Sequence, residues 1–172
     1  MQTSPMKIHN IKLSFYFSNN LVPKEKSNKK VIDKLSDHVT TTIYTHTPHL
    51  VNCTGVKNRD HIKTIQLFLE QKYGVKCDHY QIDTTFMQKR YGIKLNLIKV
   101  YELAKARYHQ LYNPSYQPEL FSGLSLKSID KVHPTINIFA TGTIQFLGGK
   151  SFQCIQESHE IVRTILSECR VQ

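Results

Sequence analysis

Residues 136–150 read INIFATGTIQFLGGK, which combines an apolar β-branched run, a Thr-Gly-Thr turn and a Gly-Gly-Lys ending. Residues 43–57 read IYTHTPHLVNCTGVK and have a related order, with an aromatic after an isoleucine, a turn and a Gly-Val-Lys ending. The aromatic residue of each segment, Tyr44 or Phe139, stands twenty-one positions after a proline. An amphipathic helix pattern follows each lysine. Because self-similarity on this scale indicates a fold built of repeated units, we predict two pseudo-symmetric repeats.

The predicted repeats occupy residues 1–76 and 77–172, as half-domains that share a core. A hydrophobic fraction of 40% is enough for a packed interior. No apolar run approaches the roughly 20 residues that a membrane-spanning helix needs, so no membrane partner is expected. The net charge of +10 favours a polyanionic partner such as nucleic acid.

Metal and catalytic sites are not indicated by the sequence. The four cysteines are scattered without a C-x-x-C pair, and the nine histidines have no compact ligand spacing. The sequence also lacks the G-x-S-x-G, P-loop and H-E-x-x-H motifs. We therefore expect no metal, no cofactor and no enzymatic activity.

Both repeats contain alternating strand patterns followed by a helix pattern. Apolar and polar residues alternate over residues 11–17, which predicts a strand with one apolar face and Asn10 on the other. Further along the chain we predict a strand over residues 79–87, helices over 58–73, 95–108 and from Ser151, and a turn-rich loop over 112–118. The helix over 58–73 is expected to end at Gly74 and to bury Ile62, Ile65, Phe68 and Leu69. The apolar stripe expected for the helix over 95–108 is Leu97, Ile98, Tyr101, and Ala104 or Lys105. Antiparallel strands with helices on one face form an α+β layer. Two such halves would form a curved sheet whose uncovered face binds a partner.

On these residues the second repeat resembles the second half of the TATA-box-binding protein (TBP) core. The matching segments are residues 116–124 (YQPELFSGL), 136–142 (INIFATG), 148–150 (GGK) and the closing helix. The first repeat matches more weakly, through residues 8–11 and 53–57. The resemblance covers roughly residues 6–168. It implies the α+β fold of the TBP saddle, in which two repeats form one curved antiparallel sheet with helices on its convex face.

In this family, pairs of phenylalanines insert between base steps of the DNA minor groove, one pair for each repeat. Phe121 and Phe139 match the pair of the second repeat. Counted by the internal repeat, Lys26 and Tyr44 stand at the positions of the first pair. His46 is a competing placement for Tyr44 if the hairpin turn is not two residues longer than in the second repeat. A lysine can contact phosphate but cannot unstack bases, so the resemblance implies an incomplete first wedge.

The family also directs one asparagine from each repeat at the base edges. Asn10 matches the first of them, whereas Asp83 stands at the position of the second. A carboxylate has no donor for the acceptors of an A·T pair. A family threonine on the last strand is retained as Thr54 but is replaced by Leu147 in the second repeat.

The resemblance implies a general transcription initiation factor that binds A/T-rich promoter DNA in the minor groove. Lys12 and Lys127 are further candidates for DNA contact, Lys127 at the position of a family arginine that reaches the backbone. Glu119 matches a glutamate that contacts the B-type general transcription factor, through which the RNA polymerase machinery would be recruited. The first repeat is too short for the family's first helix, and with Lys26 and Asp83 this predicts weaker or less selective DNA binding.

The expected location is the nucleus, or a cytoplasmic viral factory if the chain is viral, since such a shortened first repeat suits a large DNA virus or a fast-evolving parasite. Three alternatives remain open at this point. One is a TBP-fold protein scaffold, and another is the substrate-binding domain of a nuclease or glycosylase. The intermediate case is a non-specific nucleic-acid binder without TATA specificity.

Overall fold

The computed structural model describes residues 5–171, so the ends of the two predicted repeats, residues 1–4 and 172, lie outside the described residues. Within that range the chain forms nine strands and three helices and separates into two compact units. The first unit comprises residues 8–84, and the second comprises residues 85–171 together with 5–7. The repeat boundary between residues 76 and 77 stays a prediction. No helix in the described range is long and apolar enough to span a bilayer.

The first unit contains a sheet and one helix. Its elements are β1 (Lys7–Phe17), β2 (Lys30–Lys34), β3 (Thr40–Tyr44), β4 (Leu50–Val56), α1 (His61–Tyr73) and the beginning of β5 (Cys77–Arg90). The strands lie in the order β2-β3-β4-β1-β5, and β1, β2 and β3 pair antiparallel with their neighbours. The alternation predicted for residues 11–17 is confirmed, because the four apolar side chains of β1 are buried: Ile11, Leu13, Phe15 and Phe17.

Helix α1 covers the face on which these apolar side chains lie. Asp33 pairs with Thr41, and Thr41 pairs with Cys53, so the three side chains share one face of the sheet. Lys72 Nζ of α1 lies 2.6 Å from Asp33 Oδ1, and Tyr73 donates a hydrogen bond to the same carboxylate. We call the opposite face the uncovered face of the first unit. Strand alternation places on it Asn10, Lys12, Ser14, Tyr16, Thr40, Thr42, Tyr44, Leu50, Asn52 and Thr54.

The boundaries and the orientation of α1 differ in part from the prediction. The helix begins at His61 rather than at residue 58, and it ends as predicted at Gly74, which has a left-handed φ of 66°. Ile62, Ile65 and Leu69 are buried, but Phe68, which the prediction placed in the apolar stripe, is 42% exposed. The reason is geometric, since neighbouring residues of a helix point about 100° apart and Leu69 already faces the sheet.

The second unit contains the end of β5 and most of the helical residues. Its other elements are α2 (Leu97–Arg107), β6 (Tyr112–Ser115), β7 (Leu124–Ser128), β8 (Thr135–Ile138), β9 (Thr143–Leu147) and α3 (Phe152–Cys169). The strand order is β5-β9-β8-β7-β6, with antiparallel pairing throughout. Ser151 caps α3 as predicted, because its side chain accepts a hydrogen bond from Cys154 N at 3.2 Å.

Two predictions for the second unit are wrong. Residues 112–118 are not entirely loop, because Tyr112–Ser115 form β6. This strand holds Pro114, which an edge strand tolerates. The apolar stripe of α2 is Leu97, Val100 and Ala104, whereas Ile98, placed in the stripe by the prediction, is 64% exposed. Both alternatives have helical spacing, and packing against the sheet decides between them.

Alternation in the second unit leaves a second polar face. Leu124, Ile136, Ile144 and Phe146 are completely buried, and Phe146 contacts the ring of His159 on α3. Their strand neighbours therefore point away from α3, and we call that side the uncovered face of the second unit. Register places on it Gln88, Ser125, Lys127, Asn137, Gln145 and Leu147.

Candidate nucleic-acid interface

An aromatic pair lies at the end of the β8–β9 hairpin in the second unit. Phe139 follows buried Ile138, so its ring points to the uncovered face. Phe121 comes from the loop before β7 and is 40% exposed. The two ring centroids are 5.6 Å apart with planes at 69°, which is an edge-to-face contact. The structure therefore brings together the two phenylalanines that the sequence singled out.

Gly123 provides the space that this pair needs. A Cβ atom at Gly123 would lie 2.8 Å from Phe121 Cε1 and 3.0 Å from Phe139 Cε1. The φ angle of Gly123 is not in the positive, left-handed region. A glycine is therefore needed at this position because of the two rings and not because of the backbone conformation. Phe121 N also donates to Gln117 O at 3.0 Å, and Phe139 N donates to Thr143 O at 3.0 Å. Both rings thus stand on anchored backbone.

Amides line the uncovered face next to this pair. Gln145 donates through Nε2 to Gln88 Oε1 at 3.2 Å, and Asn137 is the register partner of Gln145. None of these three residues was predicted from the sequence, although the alternation of Ile136, Asn137 and Ile138 places an amide on the polar side of a strand. Lys127 is exposed on the neighbouring strand β7. Leu147 pairs with Thr135 and Phe86 on the same face, at the predicted position of the lost threonine.

In the first unit, Asn10 has a defined orientation. Its Oδ1 accepts a hydrogen bond from Gly55 N at 2.8 Å. Because a backbone N–H can only donate, the bonded atom must be the oxygen, and the two N–H donors belong to the other end of the amide. Gly55 is fixed in turn by a φ of 86° and by His38 O, which a Cβ would approach to 1.7 Å. The sequence therefore specifies the direction of the donors through a glycine on another strand.

The remaining residues predicted for the first unit lie on its uncovered face. Lys12 precedes buried Leu13, and Thr54 is exposed opposite Thr40. Asp83 is on this face too, because its Oδ2 accepts a hydrogen bond from Ser14 Oγ at 2.7 Å. A carboxylate therefore stands among the polar groups of this face.

Strand β5 contributes residues to both units. Asp83 belongs to the first unit and lies on its uncovered face, where it contacts Ser14. Thr85 and Met87 belong to the second unit and are buried on its helix side, where Thr85 Oγ1 donates to Gly149 O.

The aromatic ring beside Tyr44 is that of His46. Their centroids are 5.6 Å apart with planes at 43°. Lys26, the position counted from the repeat, is an exposed residue of the segment before β2. Thr45 holds that segment against the turn, because its hydroxyl donates to Ser27 O and Lys29 O.

Glu119 lies in the loop that also carries Phe121. It is exposed, and its neighbour Leu120 is the most exposed large apolar residue of the described chain. The loop is anchored by hydrogen bonds from Leu120 N and Phe121 N to Gln117 O. The loop thus presents a carboxylate and an apolar side chain next to each other.

The chain is similar to known proteins in sequence over half of its length and in fold over nearly all of it. The family model for transcription factor TFIID, or TATA-binding protein (TBP), matches residues 84–169, which is half of the 172-residue chain. Among solved structures the chain is similar to the Methanococcus jannaschii TBP, with 20% identity over 96% of this chain and 99% of that one and a TM-score of 0.68. No curated protein matches the chain. The predicted fold class, the α+β fold of TBP, is confirmed.

Proposed function

The chain belongs to the TATA-binding protein (TBP) family of transcription factors, and on this basis we propose that it is a transcription initiation factor that binds promoter DNA in the minor groove. The uncovered faces of its two units are the proposed contact surfaces. DNA and the transcription machinery are the partners that membership of this family implies. The proposed role is one of binding and recruitment, without catalysis.

The observation that carries the proposal is the Phe121–Phe139 pair. Apolar rings inserted at a base step unstack it and bend the duplex, and the bend allows more protein surface to contact the DNA. The pair is suited to this role because it is partly exposed, stands on anchored backbone and is given room by Gly123. A buried core pair would need none of these features.

Polar groups of the first unit supply the second part of the proposal. The minor groove of an A·T pair presents only acceptors, so it is read by donors. The anchored amide of Asn10 offers two donors, and Thr54 offers a hydroxyl. Lys12 and Lys127 are proposed to contact phosphates, which position the protein but do not read sequence.

We propose that selectivity for A/T sequences is weaker than it would be if both units carried the same base-reading donors. Asp83 replaces the second donor with an acceptor that is already bonded to Ser14. Leu147 adds no hydrogen bond where Thr54 offers one. The base-reading donors thus come mainly from the first unit and the wedge from the second.

We further propose that the Glu119 loop recruits a B-type general transcription factor and, through it, the RNA polymerase machinery. The support is the exposed carboxylate next to the exposed Leu120 on an anchored loop. The proposed site of action is the nucleus, or a cytoplasmic viral factory if the chain is viral.

A second candidate function is favoured by Asp83. A carboxylate on the uncovered face repels phosphate and lacks donors, which suits a TBP-fold scaffold for proteins or a non-specific nucleic-acid binder. The net charge of +10 opposes the scaffold and favours contact with a polyanion.

The test is fluorescence anisotropy with an A/T-rich and a G/C-rich duplex at physiological salt. Wild type is compared with the double variant Phe121→Ala/Phe139→Ala and with Phe68→Ala. Phe68 is a matched control, because it is similarly exposed but lies on helix α1. We expect tighter A/T binding that the double variant weakens about tenfold or more, on the basis of the stacking energy of one aromatic per base.

Each other outcome contradicts part of the proposal. A non-specific binder would bind both duplexes with equal affinity. That affinity would fall as salt rises and would be the same in wild type and in the double variant. Binding to neither duplex would favour the scaffold.

A further inference from the structure

A row of side chains crosses the uncovered face of the first unit at one end of its sheet. Tyr16 of β1 pairs with Leu50 of β4, and Lys30 of β2 pairs with Tyr44 of β3. Tyr44 and Leu50 end adjacent strands, because the preceding residue Ile43 pairs with Val51. His79 of β5 completes the row by stacking on Tyr16. We call the three rings of Tyr44, Tyr16 and His79, together with Leu50 between them, the aromatic row.

Two rings of this row, those of Tyr16 and His79, stack on each other on the uncovered face. The centroids of Tyr16 and His79 are 4.6 Å apart and their planes differ by 8°. Parallel stacking occupies one face of each ring, and because Tyr16 also has Leu50 as its cross-strand partner, His79 offers the more open ring to a ligand. His79 and Tyr44 are exposed, and Tyr16 is half-buried. The rings therefore lie on the surface, opposite the apolar core that β1 packs against α1.

Basic residues lie on the same face as the row. Lys30 stands at one end of it as the partner of Tyr44, whereas Lys34 and Lys12 each lie four residues along their strands from the row, about 13 Å away. Two carboxylates are also near, but both are bonded. Asp78 accepts from Ser18 Oγ at 2.7 Å, and Asp83 accepts from Ser14 Oγ at 2.7 Å.

We propose that the uncovered face of the first unit binds single-stranded nucleic acid, with the aromatic row stacked on unpaired bases and the lysines contacting the backbone. Stacking needs the flat faces of bases, and an intact duplex shows only base edges in its grooves. A sheet that carries aromatics on the face opposite its helix is a known design for unpaired bases. Adjacent strands lie about 4.8 Å apart, so the five strands from Lys30 to His79 offer a track of about 19 Å.

This activity goes beyond the duplex binding proposed above, although it uses the same face of the first unit. The aromatic wedge of the duplex proposal, Phe121 and Phe139, lies in the second unit, whereas the aromatic row lies in the first. Phe121→Ala/Phe139→Ala therefore tests the wedge, and variants of Tyr16 and His79 test the single-strand proposal.

The experiment measures anisotropy of fluorescein-labelled oligo(dT) of about 12 nucleotides with the full chain. Tyr16→Ala and His79→Ala are each expected to weaken binding about fivefold or more. Tyr80→Ala is the matched control, because Tyr80 neighbours His79 but contacts buried Phe15 on the helix side. Thermal melting checks folding, and His79→Ala keeps the test valid if Tyr16→Ala unfolds, since His79 is exposed.

Salt dependence separates the two kinds of contact. Lys30→Ala should reduce the slope of log affinity against log salt by about 0.7, because one phosphate contact is lost. Tyr16→Ala and His79→Ala should lower affinity without changing that slope. The proposal is overturned if oligo(dT) does not bind, if the two aromatic variants bind as wild type does, or if Tyr80→Ala weakens binding equally. It is also overturned if Tyr16→Ala and His79→Ala weaken duplex binding as much as single-strand binding.

Discussion

Gly123→Ala is expected to separate DNA binding from folding. The added methyl group would lie 2.8 Å from Phe121 Cε1 and 3.0 Å from Phe139 Cε1. Carbon atoms in contact prefer about 3.5–4.0 Å, so the Phe121 ring must move by about 0.7–1.2 Å. Both ring atoms are at the far ends of side chains that can rotate, and Phe121 is partly exposed. The rings therefore yield, and the backbone stays in place.

The effect on stability should be small because two terms oppose each other. Alanine restricts the unfolded chain, which stabilises the folded state by about 0.4–1 kcal/mol where the backbone conformation is compatible. Gly123 meets that condition, since its φ angle is not in the positive, left-handed region that alanine disfavours. Displacing the rings costs about 0.5–1.5 kcal/mol if a side chain leaves its rotamer by about 30°. The net change is near 1 kcal/mol or less, which corresponds to about 2–4 °C in melting temperature for a chain of this size.

The effect on DNA binding should be larger, because insertion at a base step depends on where the two rings stand. We expect A/T-duplex affinity to fall about fivefold or more, on the scale of one lost stacking contact. The assay combines anisotropy with end-to-end energy transfer on a doubly labelled duplex, which reports bending. Ser122→Ala is the control, as an exposed neighbour in the same loop.

Two results would refute this reasoning. If Gly123→Ala binds and bends the duplex as wild type does, the rings do not act as a wedge. If it lowers the melting temperature by more than about 8 °C, the glycine serves the fold and not the pair. A double-mutant cycle with Phe121→Ala adds a check, because removing the ring that is met first should reduce the further effect of Gly123→Ala.

Two further predictions concern the stability of the second unit. His133 contacts Asp130 at 2.6 Å and Glu157 at 3.1 Å. Burial alone lowers its pKa, but hydrogen bonds to the two carboxylates outweigh this and raise the pKa. The stabilisation is therefore present below the unfolded pKa of about 6.5 and lost as pH rises through the folded pKa. The melting temperature of wild type minus that of His133→Gln should accordingly fall as pH rises from about 6.5, and a constant difference would contradict the bridge. Ile165→Ala, at a completely buried site, should lower the free energy of unfolding in urea by about 2–5 kcal/mol, whereas exposed Ile98→Ala should change it by less than about 0.5 kcal/mol.

Much of the fold can be predicted from local sequence patterns. The period-two alternation of residues 11–17 predicts β1, because successive side chains of a strand point to opposite faces and every second residue therefore lies on the same face. Ser151 and Gly74 mark a helix start and a helix end because a hydroxyl cap and a left-handed residue each satisfy end groups locally. Such signals need no knowledge of distant contacts, so a single sequence is enough to find them.

The parts that the sequence could not predict depend on contacts between distant segments. The role of Gly123 is visible only once Phe121 and Phe139 have been placed against it. The hydrogen bond that the carboxylate of Asp83 accepts from Ser14, sixty-nine residues earlier, is visible in no local pattern. The exposure of Phe68 follows from how α1 packs on the sheet. In each case the deciding term is tertiary, and local propensity is only a weak guide to it.

Under the proposed function the two units offer different chemistry to DNA, so that sequence selectivity and affinity come from different residues. Asp83 stands where the second base-reading donor is expected, and the lysines that we propose contact phosphates are still present. Lys12 lies on the same face of the first unit, and Lys127 lies on that of the second. Phosphate contacts set the salt slope and most of the non-specific affinity, whereas donors at base edges set the preference for A·T pairs. A carboxylate already bonded to Ser14 therefore lowers discrimination between sequences more than it lowers affinity. It follows that binding strength measured on one duplex says little about this protein, and the ratio of affinities between A/T-rich and G/C-rich duplexes is the quantity that its geometry controls.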